Sequence, residues 1–171
     1  MELRKILKFI PVIFVAVLMR IMPHPPNLAP IGALALFAGA NLLGITAYIF
    51  PLSVMFLSDI FLGFHSTMSY VYLSFVIIVF IGRGLKFNNK VLRLFLSAFF
   101  SSVVFFIITN FGVWFSTGIY SKNLTGLINC YLLALPFFRN TIVGDFFYTF
   151  LFFYVYQHSL ILSKKIFKLR G

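Results

Sequence analysis

Long apolar runs separated by short polar breaks fill this chain, and six of them stand out, at residues 6–22, 28–43, 45–62, 68–81, 91–113 and 140–162. None shows the period-two alternation of a transmembrane barrel strand. Each reads as an α-helix that is apolar on all sides, the form a helix takes in lipid. Several lie near the lower limit of ~17 residues for a helix that crosses a bilayer. The break at 41–44 is either a tight turn or an interruption in one longer element. A further stretch, 124–135, is too short to cross and runs into Pro136. Its Leu124, Leu127, Ile128, Tyr131, Leu132 and Leu135 keep helical spacing, which predicts an interfacial or re-entrant helix. The pattern predicts an all-α, polytopic membrane bundle of about six transmembrane helices, with 1–171 as a single integral membrane domain.

Composition agrees. The chain is 61% hydrophobic and 10% charged. A soluble domain of this size could not hide so much apolar surface behind a charged exterior. The net charge of +11 changes the picture only through its distribution. It sits in short clusters between apolar runs, which is a mark of membrane topology and not of nucleic-acid binding. With six spans and an inside N-terminus, Arg4, Lys5, Lys8, Arg83, Lys86, Lys90, Arg93, Lys164, Lys165, Lys168 and Arg170 all fall on the inner side. Only Arg20, Lys122 and Arg139 lie outward. Both termini are therefore expected in the cytoplasm and the chain in a bacterial inner membrane. The basic start followed by an apolar run resembles a signal peptide, but it lacks a small-x-small cleavage site and is read as an uncleaved first span. One cysteine, Cys130, excludes an internal disulfide and Cys-pair metal sites. His24 and His65 lack metal-ligand spacing, so neither metal nor cofactor is expected.

This topology gathers the polar chemistry at the outer face. Arg20 lies near the outer end of the first span, followed by Pro23, His24, Pro25, Pro26 and Asn27. Asp59 lies about one turn below the outer end of the third span, and Asp145 about one turn into the sixth. Asn110 and Trp114 end the fifth, Arg139 and Asn140 open the sixth, and Tyr120, Asn129 and Tyr131 lie between them. A charge in mid-membrane costs roughly 2.5 to 3.5 kcal/mol, so the two aspartates should face the bundle interior or water. Mutual neutralisation by Arg20 and Arg139, fixing helix register, is as good a reading of them as ligand binding. Trp114 and the tyrosines taken singly fit an interfacial aromatic belt. The small-residue run with Ala35 and Gly39 serves close packing, either within the chain or against a partner helix. The sequon Asn123-Leu124-Thr125 is read as a chance match.

Several motifs carry a resemblance. They are Pro26-Asn27-Leu28-Ala29-Pro30 leading to Gly39, Ser58-Asp59 with Gly63 and His65, and Thr109-Asn110-Phe111-Gly112-Val113-Trp114. Gly126-Leu127, Cys130-Tyr131, Leu135-Pro136-Phe137-Phe138, Asn140-Thr141 and Gly144-Asp145 complete the set. Together they resemble a family of small, functionally uncharacterised bacterial membrane proteins described as transport proteins. That family is similar in turn to the S components of energy-coupling-factor transporters. The resemblance implies a substrate-binding subunit whose outer loops enclose a small water-soluble molecule. It implies a transmembrane coupling subunit and ATPases as partners, beside the lipid bilayer. The chain has no phosphate-binding Gly-x-x-x-x-Gly-Lys-Ser/Thr motif, so ATP would come from those partners. The implied pocket comprises Asn27, Asp59, Asn110, Trp114, Arg139, Asn140 and Asp145. The Ala-xxx-Ala docking motif common in S components is absent, Ala16 being followed by Arg20 four residues on, and the Ala35/Gly39 surface is the substitute. Two other classes stay open. An intramembrane aspartyl hydrolase would use Asp59 and Asp145 as a proton-sharing pair, although the motifs around the aspartates of lipoprotein signal peptidases are missing. A non-transporting envelope scaffold would use its charges only for packing.

Overall fold

The computed structural model describes residues 10–85 and 91–168. Among them every regular element is a helix: α1 (Ile10–Ile21), α2 (Ile31–Asn41), α3 (Thr46–Leu62), α4 (Met68–Arg83), α5 (Val91–Ser116) and α6 (Leu124–Lys168). Arg4, Lys5, Lys8, Lys86, Lys90 and Arg170, which carry part of the charge pattern, lie outside the described residues.

Local chemistry sets the breaks. Pro23 disfavours helix in the residue before it and closes α1. At Leu42 the chain turns extended (φ −103°, ψ 150°), and Gly44 takes φ 59°. Windows two and three are thus separate helices. Gly63, at φ 92°, ends α3 while its N–H still reaches the Asp59 carbonyl at 2.8 Å. The Asn123 side chain accepts the Gly126 N–H at 2.8 Å, so the residue that begins the sequon is the N-cap of α6.

The structure corrects the expected surface helix at 124–135. That stretch is the first part of a continuous 45-residue helix running through Pro136. Proline removes one ladder bond, the one to the carbonyl four residues back. Contacts with α5 on both sides of it hold the helix together. The Tyr131 hydroxyl donates to the Ile107 carbonyl at 2.7 Å, and the Phe138 ring lies 4.5 Å from that of Phe106. The segment stands upright along α5 and does not lie flat.

Helix order is up-and-down. Phe75 meets Phe105 across α4 and α5, and Phe95 meets Phe146 and Phe150 across α5 and α6. The short α2 occupies the centre, touching α3, α4, α5 and α6. Its Ile31–Leu36, Ala38 and Gly39 are all buried. A Cβ on Gly39 would collide with the Val79 carbonyl, and one on Gly82 with the Leu36 carbonyl. The small-residue face therefore packs backbone to backbone on α4. It is not a free docking surface, and Ala35 is 0% exposed.

The outside is apolar. Phe14, Ile49, Phe61, Phe80, Leu92 and Phe147 are more than half exposed. α5, with 26 residues, and residues 124–158 of α6 are each long and apolar enough to cross a membrane. α2, α3 and α4 have 11, 17 and 16 residues, and α1 has 12 among the described residues. Six full spans are not a property of the helices themselves, since α2 rises only about 16 Å.

Candidate functional site

The C-terminal ends of α1, α3 and α5 and the N-terminal ends of α2, α4 and α6 meet at one end of the bundle. The other end holds Arg83, whose guanidinium donates to the Gly44 carbonyl at 2.7 Å and lies 4.6 Å from the centre of the Tyr48 ring. Between the first set of ends lies a cavity of about 650 Å³. His24, Pro26, Asn27, Leu62, His65, Val113 and Tyr120 surround its mouth. Helical order puts Met55, Ile78, Phe105, Thr141 and Asp145 deeper. On α6 the lining descends from Cys130 to Asp145, about 22 Å along the axis.

Asp145 defines the floor. It is 4% exposed, and its Oδ2 accepts the Ser102 hydroxyl at 2.7 Å. The carboxylate also meets the backbone N–H of Ala33 in the first turn of α2. This approach requires the glycine at position 32, because a Cβ there would overlap Asp145 Oδ1. One turn further along α6, the buried Thr149 hydroxyl has no hydrogen-bond partner.

Asp59 is placed differently. Its Oδ1 forms an ion pair with Arg20 Nη1 at 2.6 Å, and its Oδ2 accepts the Tyr72 hydroxyl at 2.9 Å. The same Arg20 nitrogen also donates to the Met55 carbonyl at 3.2 Å and to the Ser58 hydroxyl. The first, third and fourth helices are pinned together at this point. Arg20 reaches the cavity wall, whereas Asp59 lies behind it. No hydrogen bond joins the two carboxylates.

Of the seven residues expected in the pocket, Asn27, Asn110 and Asp145 line the cavity. Asn27 does so from a left-handed backbone conformation (φ 64°) that asparagine tolerates better than most residues. The other four lie outside the lining, for visible reasons. Asp59 is held by Arg20 and Tyr72. The Trp114 indole N–H donates to the Ser121 carbonyl at 3.0 Å, and Lys122 caps the end of α5 through the carbonyls of Trp114, Phe115 and Thr117. Trp114 thus belongs to a clamp on the α5–α6 turn. Asn140 donates to the Pro26 carbonyl at 3.0 Å, tying α6 to the mouth segment. Arg139 is exposed and is not the partner of Asp145.

Thr109, Cys130 and Thr141 line the cavity although they were not among the expected pocket residues. Each looks unremarkable in an apolar helix. Thr109 and Thr141 bond back to carbonyls four residues earlier, as such residues do in any helix.

No group of three or more His, Cys, Asp or Glu side chains that could hold a metal occurs among the described residues. Neither a curated protein nor a solved structure matches the chain. A family model does, over residues 2–166, and the chain therefore belongs to DUF6580, a family of unknown function.

Proposed function

We propose that this chain is the substrate-binding subunit of an uptake transporter, similar to an S component. It sits in the bacterial inner membrane as one domain with six passes and cytoplasmic termini. The carrying observation is the cavity of about 650 Å³ with a buried carboxylate at its floor, built from helix ends at the pole opposite Arg83. Its size suits a metabolite, and its mixture of apolar wall and few polar groups is typical of small-molecule sites. The positive-inside pattern turns that pole outward.

The short α2 fits this reading. It is enclosed by protein, and residues 23–30, which precede it, run along the cavity. Non-helical backbone at membrane depth is stable only where it is buried in protein or faces water. The apolar exterior of α3, α5 and α6 meets lipid. A coupling subunit and ATPases are the partners of this reading, and any ATP comes from them, since the chain carries no nucleotide-binding loop.

Purification in mild detergent, followed by native mass spectrometry, tests the proposal. Wild type is expected to carry a small molecule into the gas phase and to copurify with a membrane subunit and ATPases. Ala134→Phe, which fills the wall at a buried cavity-lining position, is expected to lose the small molecule. An empty wild-type chain that binds no metabolite from an extract and recovers no ATPase would overturn the reading.

A further inference from the structure

Two features of the cavity would ordinarily recruit an anion: the guanidinium of Arg20 and the N-terminus of α2. Each already meets one of the chain's own carboxyl groups. Asp59 holds Arg20 in the 2.6 Å ion pair. Asp145 lies on the α2 terminus, against Gly32 and the Ala33 N–H. Of the two carboxyl groups, only Asp59 has a cationic partner. Asp145 receives only neutral donors, and among the described residues it has no ion-pair partner. The helix end offers roughly half a unit charge and offsets only part of a carboxylate.

The rest of the lining points the same way. A carbonyl only accepts, so His24 Nδ1 must carry the proton it gives to the Met22 carbonyl at 2.7 Å. In the neutral ring Nε2 is then an acceptor. The walls carry Phe75, Phe105 and Phe137, whose ring faces attract cations.

We propose that the cavity selects a small organic cation, an ammonium or amidinium group paired with Asp145 and carried on an apolar or aromatic body. This rests on the cavity being a ligand site, as proposed above. An anionic metabolite is disfavoured, because Nη1 of Arg20 and the α2 terminus each already face a carboxyl group.

Cys130 makes the test possible, being the sole cysteine and part of the cavity lining. Its modification would be timed with three methanethiosulfonates: the cationic aminoethyl, the anionic sulfonatoethyl and the neutral methyl reagent. Each forms a mixed disulfide with the thiolate and releases methanesulfinate, and the neutral reagent corrects for intrinsic thiol reactivity. Lys122 acts on the thiol as well, so the readout is the change in the ratio of cationic to anionic rates when Asp145 is replaced. In Asp145→Asn the ratio should fall severalfold, the scale of one charge felt across the cavity. Should that variant fail to fold, competition in wild type decides: phenethylamine should slow modification and phenylacetate should not.

An unchanged ratio in Asp145→Asn, or protection by phenylacetate, would overturn the cation assignment and leave the binding-subunit reading standing. No reaction with any reagent, where the detergent-denatured chain reacts, would overturn both.

Discussion

Asp59 and Asp145 are buried to nearly the same degree, 1% and 4% exposed, at the same end of the same bundle. Their surroundings differ in kind. Asp59 meets a full positive charge and a phenol, and neither of its oxygens needs anything further. Asp145 meets a hydroxyl and a helix end, and its site opens onto a cavity. The first arrangement fixes three helices to one another. The second leaves a carboxyl group without a cationic partner among the described residues, beside the cavity. Burial alone therefore does not separate a structural carboxylate from a functional one; the identity of the partner does.

That contrast can be broken by substitution. The largest effect is expected for Asp59→Ala, which strands Arg20 in a mostly buried position. Loss of one partner from such a pair costs about 3–5 kcal/mol, read as a lower midpoint for unfolding in detergent. Gly32→Ala comes next. Its new Cβ would displace the Asp145 carboxylate, at about 1–3 kcal/mol for overpacking. A neutral or stabilised Gly32→Ala chain would show that the carboxylate does not sit on the α2 terminus. Asp145→Asn should cost about 1 kcal/mol or less, because the amide oxygen still accepts from Ser102 and no cation is left behind. Smallest is the double change Arg20→Met with Asp59→Leu. Replacing a whole buried pair with apolar groups is expected to be close to neutral, and the pair's non-additivity measures its coupling. If Asp145→Asn proved as damaging as Asp59→Ala, the distinction between the two sites would collapse.

The helices were largely legible because apolar runs and proline or glycine breaks act locally. All six windows contain a helix, and 41–44 is a true break. Pro136 misled because a proline ends a helix only when nothing else holds the chain, and here α5 supports both sides. The small-residue face was recognisable as a packing surface, but its partner, α4, was not. Gly82 carries no packing signal in sequence and acquires meaning only opposite Gly39. At the site, depth could be read and direction could not. Topology placed Asp59, Asn110, Trp114, Asn140 and Asp145 at one level. Whether a side chain turns to the cavity, to a neighbouring helix or to a turn depends on rotation about the helix axis. In helices apolar on all sides, hydrophobic periodicity carries little of that information. Ser102 illustrates the loss, since its hydroxyl lies 3.1 Å from the carbonyl of its own helix at Ala98 and closer, at 2.7 Å, to Asp145 on another.

The contact between Gly39 and Gly82 bears on how this sequence can change over generations. In most cores a residue may grow if its neighbour shrinks, and paired substitutions drift through volume exchange. Here each missing side chain would strike main chain, the Val79 carbonyl from one side and the Leu36 carbonyl from the other. Main chain cannot be made smaller, and both positions already carry the smallest residue. No second mutation at the opposite position compensates for the first. In DUF6580 chains that keep this α2–α4 crossing, these two sites are expected to vary independently of each other and almost not at all, while the apolar residues around them exchange freely.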